Sequence, residues 1–182
     1  MISIVVTSVG YFGEHIVPLV SSFTRFGDPE IIISMTTKSR AEATNGAMRA
    51  ATGDWIMVLD NDVRCKGDYG FIESLDPHNI YGPDLHPNKL GQGVSWLNEW
   101  CIIIPREVYL TVGGFDEEFK ASMPYGGADY CLRVQQQRGK VVQIDAPFIH
   151  LEAATKRDNP LHGDIYWENL CYLQKKWGLP KS

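Results

Sequence analysis

The stretch Trp-Ile-Met-Val-Leu-Asp-Asn-Asp, residues 55–62, predicts a buried β-strand that ends in two carboxylates. In open α/β sheets, ligands bind at the carboxyl ends of such strands. Asp60 and Asp62 are therefore candidate ligands for Mn²⁺ or Mg²⁺, because these cations prefer oxygen donors and bind phosphate oxygens. The same residues are also compatible with a simple polar turn, since Asp and Asn are common where a strand meets a loop.

The sequence on the N-terminal side of this strand predicts an α/β fold. Residues 2–7 and 30–35 are β-branched apolar runs of strand length. Residues 16–23 carry an apolar helical face, and residues 39–52 are rich in Ala, Arg and Glu, which favour a helix. The resulting β-α-β-α-β order is typical of parallel strands that are covered by helices.

The rest of the chain predicts shorter elements. Residues 65–93 are rich in Gly, Pro, Asp and Asn, and they predict a long segment dominated by loops. Further strands are expected at 100–104, 140–144 and 147–150, and further helices at 105–112, at 129–138 and near the C-terminus. No boundary interrupts this pattern, so we predict one α/β domain over residues 1–182, with a mostly parallel central sheet flanked by helices.

Composition excludes several classes of protein. The 182 residues are 44% apolar and 21% charged, which is ordinary for a globular domain. The net charge of −5 argues against nucleic acid as a partner. No apolar run approaches the roughly 18 residues of a transmembrane segment, and the first residues lack the basic region of a signal peptide. Four scattered cysteines without a CxxC pair indicate a reduced, cytoplasmic protein.

Five segments, in order, resemble elements of the family 2 glycosyltransferases, which have the Rossmann-like GT-A fold. Residues 43–56 are similar to the helix and turn that lead into that family's DxD strand. Residues 111–119, Thr-Val-Gly-Gly-Phe-Asp-Glu-Glu-Phe, resemble its "vGGFDExF" element. Residues 129–133 resemble the end of its "EDxDLxxR" helix, residues 148–150 its late histidine-bearing strand, and residues 176–178 its C-terminal "KWG".

The resemblance implies a metal-dependent, inverting transfer of a sugar from a nucleoside-diphosphate sugar to a hydroxyl acceptor. Asp60 and Asp62 would hold Mn²⁺ or Mg²⁺ on the donor diphosphate, and His150 would be a third ligand as neutral imidazole. For His150, a histidine that simply packs in the core is an open alternative. Residues 1–64 would form the half that binds the nucleotide sugar, and residues 94–182 the acceptor-side half.

Further donor contacts follow from the same resemblance. Thr7, Ser8 and Val9 occupy the loop after the first strand, which faces the nucleoside, and Asn61 lies between the two aspartates. Arg40 and Asn45 lie where the second helix approaches the donor, although Arg40 could also be a solvated helix residue. The family commonly has an acidic residue after the second strand, but here residues 35–37 are Met-Thr-Thr. Guanosine and thymidine donors therefore stay open beside uridine.

The general base is predicted to be Asp129. The family's base is usually the Asp of a Glu-Asp pair, and an alignment through Leu132 and Arg133 places Gly126-Gly127 at that pair. A small shift would bring Asp129 to the base position, where it would take a proton from the acceptor hydroxyl. Asp129 could instead cap a helix. Glu99 is the reserve candidate for the base.

The acceptor side is expected to include Trp96 and Glu99, just before the fourth apolar strand. Aromatic faces pack on sugar rings, although most tryptophans are core residues. The acceptor itself, a glycan, a lipid-linked sugar or a protein, is not specified. A catalytically silent GT-A domain that binds nucleotide sugar or glycan is the alternative function. A nucleotidyltransferase ranks last, since residues 7–13 contain no basic residue.

Overall fold

The structure is a computed structural model that describes residues 1–8, 12–35, 39–86, 94–120, 123–151 and 162–180. The strands are β1 (Ile2–Ser8), β2 (Glu30–Met35), β3 (Trp55–Asp60), β4 (Val63–Cys65), β5 (Ile80–Gly82), β6 (Leu85–His86), β7 (Trp96–Leu97), β8 (Cys101–Pro105), β9 (Val141–Gln143) and β10 (Phe148–His150). The helices are α1 (Val17–Thr24), α2 (Arg40–Ala50), α3 (Arg106–Val112), α4 (Gly126–Gln136) and α5 (His162–Trp177). A π-helical turn at Phe12–Ile16 leads into α1, and a 3₁₀ turn lies at Gly70–Ser74.

Six strands form the central sheet, in the order β2-β1-β3-β8-β5-β9. β1 pairs in parallel with β2 and β3, and β5 pairs in parallel with β9. β8 is the exception, because it runs antiparallel to both β3 and β5. Two small antiparallel sheets, β4 with β10 and β6 with β7, complete the strand pairing. The prediction of an α/β fold with a mostly parallel central sheet is confirmed.

The residues of β3 alternate between two hydrophobic cores, one on each face of the sheet. Ile56 and Val58 belong to a cluster that is covered by α2, α4 and α5. Met57 and Leu59 belong to the opposite cluster, which α1 covers. Because both faces are covered, residues 55–59 of the strand are all apolar, and this explains the unbroken apolar run in the sequence.

Two differences from the predicted elements bear on the candidate site. The sequence predicts a loop-rich segment at 65–93, yet this segment contributes β5 to the central sheet, between β8 and the edge strand β9. Helix α4 begins at Gly126, three residues before the predicted start at Asp129, and Tyr125 precedes it in a left-handed conformation with φ of 68°. Gly126 and Gly127 therefore belong to the first turn of α4. No helix in the described parts of the chain is both long and apolar enough to span a membrane.

Candidate metal and nucleotide-sugar site

The carboxyl ends of β1 and β3 bring the first candidate residues together. The two strands are parallel, and Thr7 lies opposite Asp60 in their register. The backbone N–H of Asp60 donates to the carbonyl oxygen of Trp100 at 3.0 Å, which ties this edge to the chain just before β8. Asp60 therefore leaves the sheet at the edge where open α/β folds bind ligands.

Three side chains converge there into a candidate metal site. The β4–β10 pairing sets His150 opposite Val63, directly after Asp62. The Nε2 atom of His150 lies 3.1 Å from Oδ1 of Asp62 and 3.7 Å from Oδ2 of Asp60. One ligand atom from each of these three residues lies within 4.8 Å of the others. The predicted grouping of Asp60, Asp62 and His150 is thus present in the fold.

These spacings fit a six-coordinate divalent cation. With bonds of about 2.1 Å, adjacent ligands of an octahedron lie about 3 Å apart and opposite ligands about 4.2 Å apart. The 3.1 Å and 3.7 Å separations fall in this range, so small side-chain adjustments suffice to bind an ion. Two carboxylates with one imidazole suit Mn²⁺, which accepts both oxygen and nitrogen donors.

Trp100 holds the imidazole ring of His150 from one side. The two rings are stacked, with centroids 5.2 Å apart and an interplanar angle of 6°. The indole N–H of Trp100 points to Oδ2 of Asp84 at 3.4 Å, and the same oxygen accepts the side-chain amide of Asn98 at 2.9 Å. Sequence reasoning missed this role, because no local pattern connects Trp100 with a strand 50 residues away.

Arg40, the first residue of α2, lies against Asp60 and is not the solvated helix residue that the sequence left open. Its Nη2 forms an ion pair with Oδ1 of Asp60, which leaves Oδ2 on the side of His150. The same nitrogen donates to the carbonyl oxygen of Glu99 at 3.3 Å. Nε of Arg40 is buried and has no hydrogen-bond partner among the described residues. Such a donor is a candidate for a ligand contact, since buried polar atoms are usually paired.

Comparisons with solved structures identify the architecture. The catalytic domain of Drosophila β1,4-galactosyltransferase 7, solved with xylobiose, matches with a TM-score of 0.68 at 18% identity, over 87% of this chain and 73% of that one. The mannosyltransferase PcManGT of Pyrobaculum calidifontis, solved with GDP-Man and Mn²⁺, matches with a TM-score of 0.69 at 14% identity, over 100% of this chain and 65% of that one. The chain has the GT-A fold.

Comparisons of the sequence with family models and with curated proteins found no match for this GT-A domain. TarS of S. aureus in complex with UDP-GlcNAc is a further structural match, with a TM-score of 0.61 at 11% identity, over 92% of this chain and 64% of that one.

The last residue of β1 is tied to the turn after β3. The side-chain amide of Asn61 donates to the hydroxyl of Ser8 at 3.0 Å, and Ser8 is buried. Thr7 is half-buried at the same edge, and Val9 lies outside the described residues. The structure thus brings Thr7, Ser8 and Asn61 to the edge of the sheet that carries Asp60.

Asn45 has a packing role in this GT-A domain. Its amide exchanges hydrogen bonds with the backbone of Phe115, accepting at 2.7 Å and donating at 2.8 Å. The amide nitrogen also donates to Glu117 at 2.9 Å. Asn45 therefore anchors the Gly-Gly-Phe turn to α2, and this geometry argues against the predicted donor contact.

Asp129 is sealed inside the protein. Its side chain has 0% exposure, and its carboxylate pairs with Arg133 at 2.9 Å and with Lys176 at 2.6 Å. The indole N–H of Trp177 donates to it at 2.9 Å. Burial lowers the pKa of Lys176, but the hydrogen bonds to Asp116 and Asp129 outweigh this effect and raise it. A base must touch the acceptor, so this geometry argues against Asp129 as the predicted base and gives it a structural role.

Trp96 is also a core residue. It is 7% exposed, and its ring packs on His86 with centroids 5.3 Å apart. The indole therefore offers little free surface to a sugar, and this burial argues against the predicted acceptor platform.

Glu99 is half-buried between β7 and β8 and faces the first turn of α4. Its Oε1 accepts the backbone N–H of Gly127 at 2.8 Å. Burial raises the pKa of Glu99 to about 7, although the Gly127 hydrogen bond and the charge of Arg40 act in the opposite direction. A carboxyl group with this pKa near neutrality can both accept and release a proton.

Proposed function

We propose that this protein is a metal-dependent, inverting glycosyltransferase that moves a sugar from a nucleoside-diphosphate sugar to a hydroxyl acceptor. The observation that carries the proposal is the convergence of Asp60, Asp62 and His150 at the carboxyl edge of a GT-A sheet. Structural relatives bound to UDP-Gal with manganese and to GDP-Man with Mn²⁺ support it.

Asp60, Asp62 and His150 would hold Mn²⁺ or Mg²⁺ at this edge. The bound cation supplies charge neutralisation for the departing nucleoside diphosphate. Arg40 adds a positive charge beside the cation site, and its unpartnered Nε–H is available to a phosphate oxygen. Thr7, Ser8 and Asn61 would line the nucleoside side of the same edge. Residues 1–64 would form most of the donor half, to which His150 is added from residues 94–182, the acceptor-side half of the same domain.

The acceptor would be a hydroxyl group of a glycan, a lipid-linked sugar or a protein. In an inverting reaction, the hydroxyl oxygen attacks the face of the sugar carbon opposite to the diphosphate, and a carboxylate takes its proton. The four cysteines are free thiols in the structure, which supports a reducing compartment such as the cytoplasm.

A thermal-shift panel with UDP, GDP, TDP and CMP, each with and without Mn²⁺, tests the proposal. We expect one nucleotide to raise the Tm only when Mn²⁺ is present, since the cation would bridge the carboxylates and the diphosphate. The shift should disappear in Asp60→Ala and persist in Asp28→Asn, which removes an exposed carboxylate. The absence of a metal-dependent shift with every nucleotide would overturn the proposal.

A catalytically silent nucleotide-sugar-binding domain is the second candidate. The observation that favours it is the burial of Asp129, which removes the predicted base from contact with substrate. Turnover separates the two candidates. Mn²⁺-dependent hydrolysis of UDP-Gal, UDP-GlcNAc or GDP-Man would reject the silent domain, whereas binding of these donors without any turnover would support it.

A further inference from the structure

Glu99 reaches across the fold to the start of α4. Its carboxylate accepts the N–H of Gly127, in the first turn of an 11-residue helix and 28 positions further along the chain. The unpaired N–H groups of a first helical turn favour a negative charge. The backbone of Tyr125, which precedes the helix, also favours the charged form of the carboxyl group. The side chain is therefore fixed in position although it lies between two short strands.

The glycine pair at the start of α4 provides the space for this side chain. A Cβ atom at Gly127 would lie 2.5 Å from Cγ of Glu99, which is closer than side chains tolerate. A Cβ atom at Gly126 would lie 2.2 Å from Cγ of Met123. Gly127 thus leaves open the volume that Glu99 fills, and the carboxylate takes a place that a side chain on the helix would otherwise occupy.

The turn that leads into α4 is strained. Met123 and Tyr125 have φ angles of 63° and 68°. These angles lie in the left-handed region, which residues other than glycine rarely adopt. Each such residue costs on the order of 1 kcal/mol, and strain of this kind concentrates at functional sites. The strained turn sets the first helical N–H groups against Glu99.

Glu99 also borders the candidate metal site. Nη2 of Arg40 contacts both the carbonyl oxygen of Glu99 and the carboxylate of Asp60. The next residue, Trp100, stacks on His150. Glu99 is partly exposed beside these residues, whereas the side chain of Asp129 is fully enclosed. Of these two acidic candidates, Glu99 is the one that a substrate at the cation site could touch.

On the basis of the function proposed above, we propose that Glu99 is the general base of the transfer. The acceptor oxygen forms a bond to the anomeric carbon of the sugar, and the bond from that carbon to the diphosphate oxygen breaks. The electron pair of the broken bond leaves with the nucleoside diphosphate. The hydroxyl proton moves to the carboxylate of Glu99, which returns it to solvent after the product leaves.

The test compares two nucleophiles in Glu99→Gln, which keeps the shape of the side chain and an oxygen that accepts the Gly127 N–H. Hydrolysis of the donor requires a proton to be taken from water, whereas azide attacks as an anion without a proton. We expect hydrolysis to fall by about 10²-fold or more, the usual contribution of a general base. Glycosyl azide formation should stay within about threefold of wild type, because a proton-free nucleophile makes no use of a base.

Binding measurements distinguish an error in the role of Glu99 from an error in the proposed glycosyltransferase function. The Mn²⁺-dependent nucleotide shift should persist in Glu99→Gln and in the exposed control Glu118→Gln, and the control should also hydrolyse the donor normally. If Glu99→Gln hydrolyses the donor at the wild-type rate, or loses hydrolysis and azide transfer equally, Glu99 is not the base. If wild type binds no nucleotide with Mn²⁺, the glycosyltransferase proposal falls as well.

Formate should restore hydrolysis of the donor in Glu99→Ala, because its carboxylate can take the place of the missing side chain. Failure of this rescue would count against Glu99 as the base.

Discussion

The indole ring of Trp100 lies parallel to the imidazole ring of His150, with centroids 5.2 Å apart and planes 6° from parallel. The stack fixes the plane of the imidazole, while Nε2 lies 3.1 Å from the carboxylate of Asp62. A ligand that is already oriented loses less conformational entropy when an ion binds. Trp100 is therefore a positioning residue for the candidate metal site.

Trp100→Leu should weaken Mn²⁺ binding by about tenfold, in the range found when groups that orient metal ligands are removed. Trp100→Phe keeps an aromatic face and should have a smaller effect. The measurement is a titration of free Mn²⁺ by electron paramagnetic resonance. Trp167→Leu, at a tryptophan that is 54% exposed on α5, is the matched control and should bind Mn²⁺ as wild type does. Equal affinity in Trp100→Leu and wild type would contradict the positioning role.

Asp62→Asn and His150→Gln should each weaken Mn²⁺ binding by more than tenfold, since each removes one of the three candidate ligands. Isothermal titration with MnCl₂ in the absence of nucleotide measures this loss without any turnover. The exposed residue His78 offers the control His78→Gln, which should leave the affinity unchanged. Unaltered binding in both ligand variants would place the metal elsewhere.

Asp129→Asn should lower the free energy of unfolding by about 3–5 kcal/mol, the cost of breaking a buried ion pair from one side. The variant leaves the partly buried side chains of Arg133 and Lys176 beside a neutral amide that is itself fully buried. Urea denaturation measures the change, and the exposed variant Asp28→Asn should stay within about 0.5 kcal/mol of wild type. A loss below about 1 kcal/mol in Asp129→Asn would argue against the structural role.

Gly127→Ala should destabilise the protein by about 1–3 kcal/mol, the usual cost of overpacking, although alanine ordinarily stabilises a helix relative to glycine. The reason is the 2.5 Å approach of the added Cβ to Cγ of Glu99. In the Glu99→Ala background the same substitution should cost little, because the clash is gone. A double-mutant cycle in urea measures this coupling. If Gly127→Ala costs the same in both backgrounds, the two residues are not in contact.

Glu99 should make stability depend on pH. Its pKa is raised in the folded state, so between about pH 4.5 and 7 the folded protein binds a proton that the unfolded chain releases. Its contribution to stability is therefore fully present below about pH 4.5 and is lost as the pH rises through 7. The shift from 4.5 to about 7 limits the effect to at most about 3 kcal/mol, and the partial exposure of the side chain reduces it.

Urea unfolding of wild type and Glu99→Gln at several pH values isolates this effect, because the other titrating groups cancel in the difference. Arg40 and Asp60 act on the carboxyl group with opposite signs and are present in both proteins. The variant should gain stability relative to wild type as the pH rises from 4.5 to 8. A constant difference over this range would contradict the raised pKa.

Most strands and helices, and the placement of Asp60 and Asp62 at a strand end, could be predicted because their signals are local, whereas His150 was proposed from the family resemblance alone. β3 is an unbroken apolar run followed by two aspartates, and α3 and α5 end at Gly113 and Gly178, which both have positive φ. Parallel pairing then brings Asp60 to the ligand edge in any fold of this class. The short strand β5 was missed, since three residues carry no period of their own and depend on neighbouring strands for their hydrogen bonds.

The acidic residues of the acceptor side could not be assigned from sequence, because their roles depend on distant contacts. Asp129 has an acidic side chain at the start of a helix, but Lys176 and Trp177 enclose it from α5, almost 50 residues away. Glu99 gave only a weak local signal, and Gly127, which makes room for it, is also far away in sequence. The order of the family-like motifs thus indicated where the acceptor side lies in the chain. Which of the two carboxylates, Asp129 or Glu99, is accessible depends on tertiary packing.

The placement of the three candidate metal ligands has a consequence for folding. Asp60 ends β3 and Asp62 follows it, whereas His150 lies on β10, some 90 residues later, which pairs with β4. An unfolded chain does not hold these atoms within 4.8 Å of one another, so Mn²⁺ should bind the native state in preference. At a free metal concentration of 100 times Kd, this linkage would add about 2.7 kcal/mol to stability. The free Mn²⁺ concentration would then determine the fraction of molecules in which β10 is protected from local opening. The same concentration would determine the fraction that can bind a nucleotide.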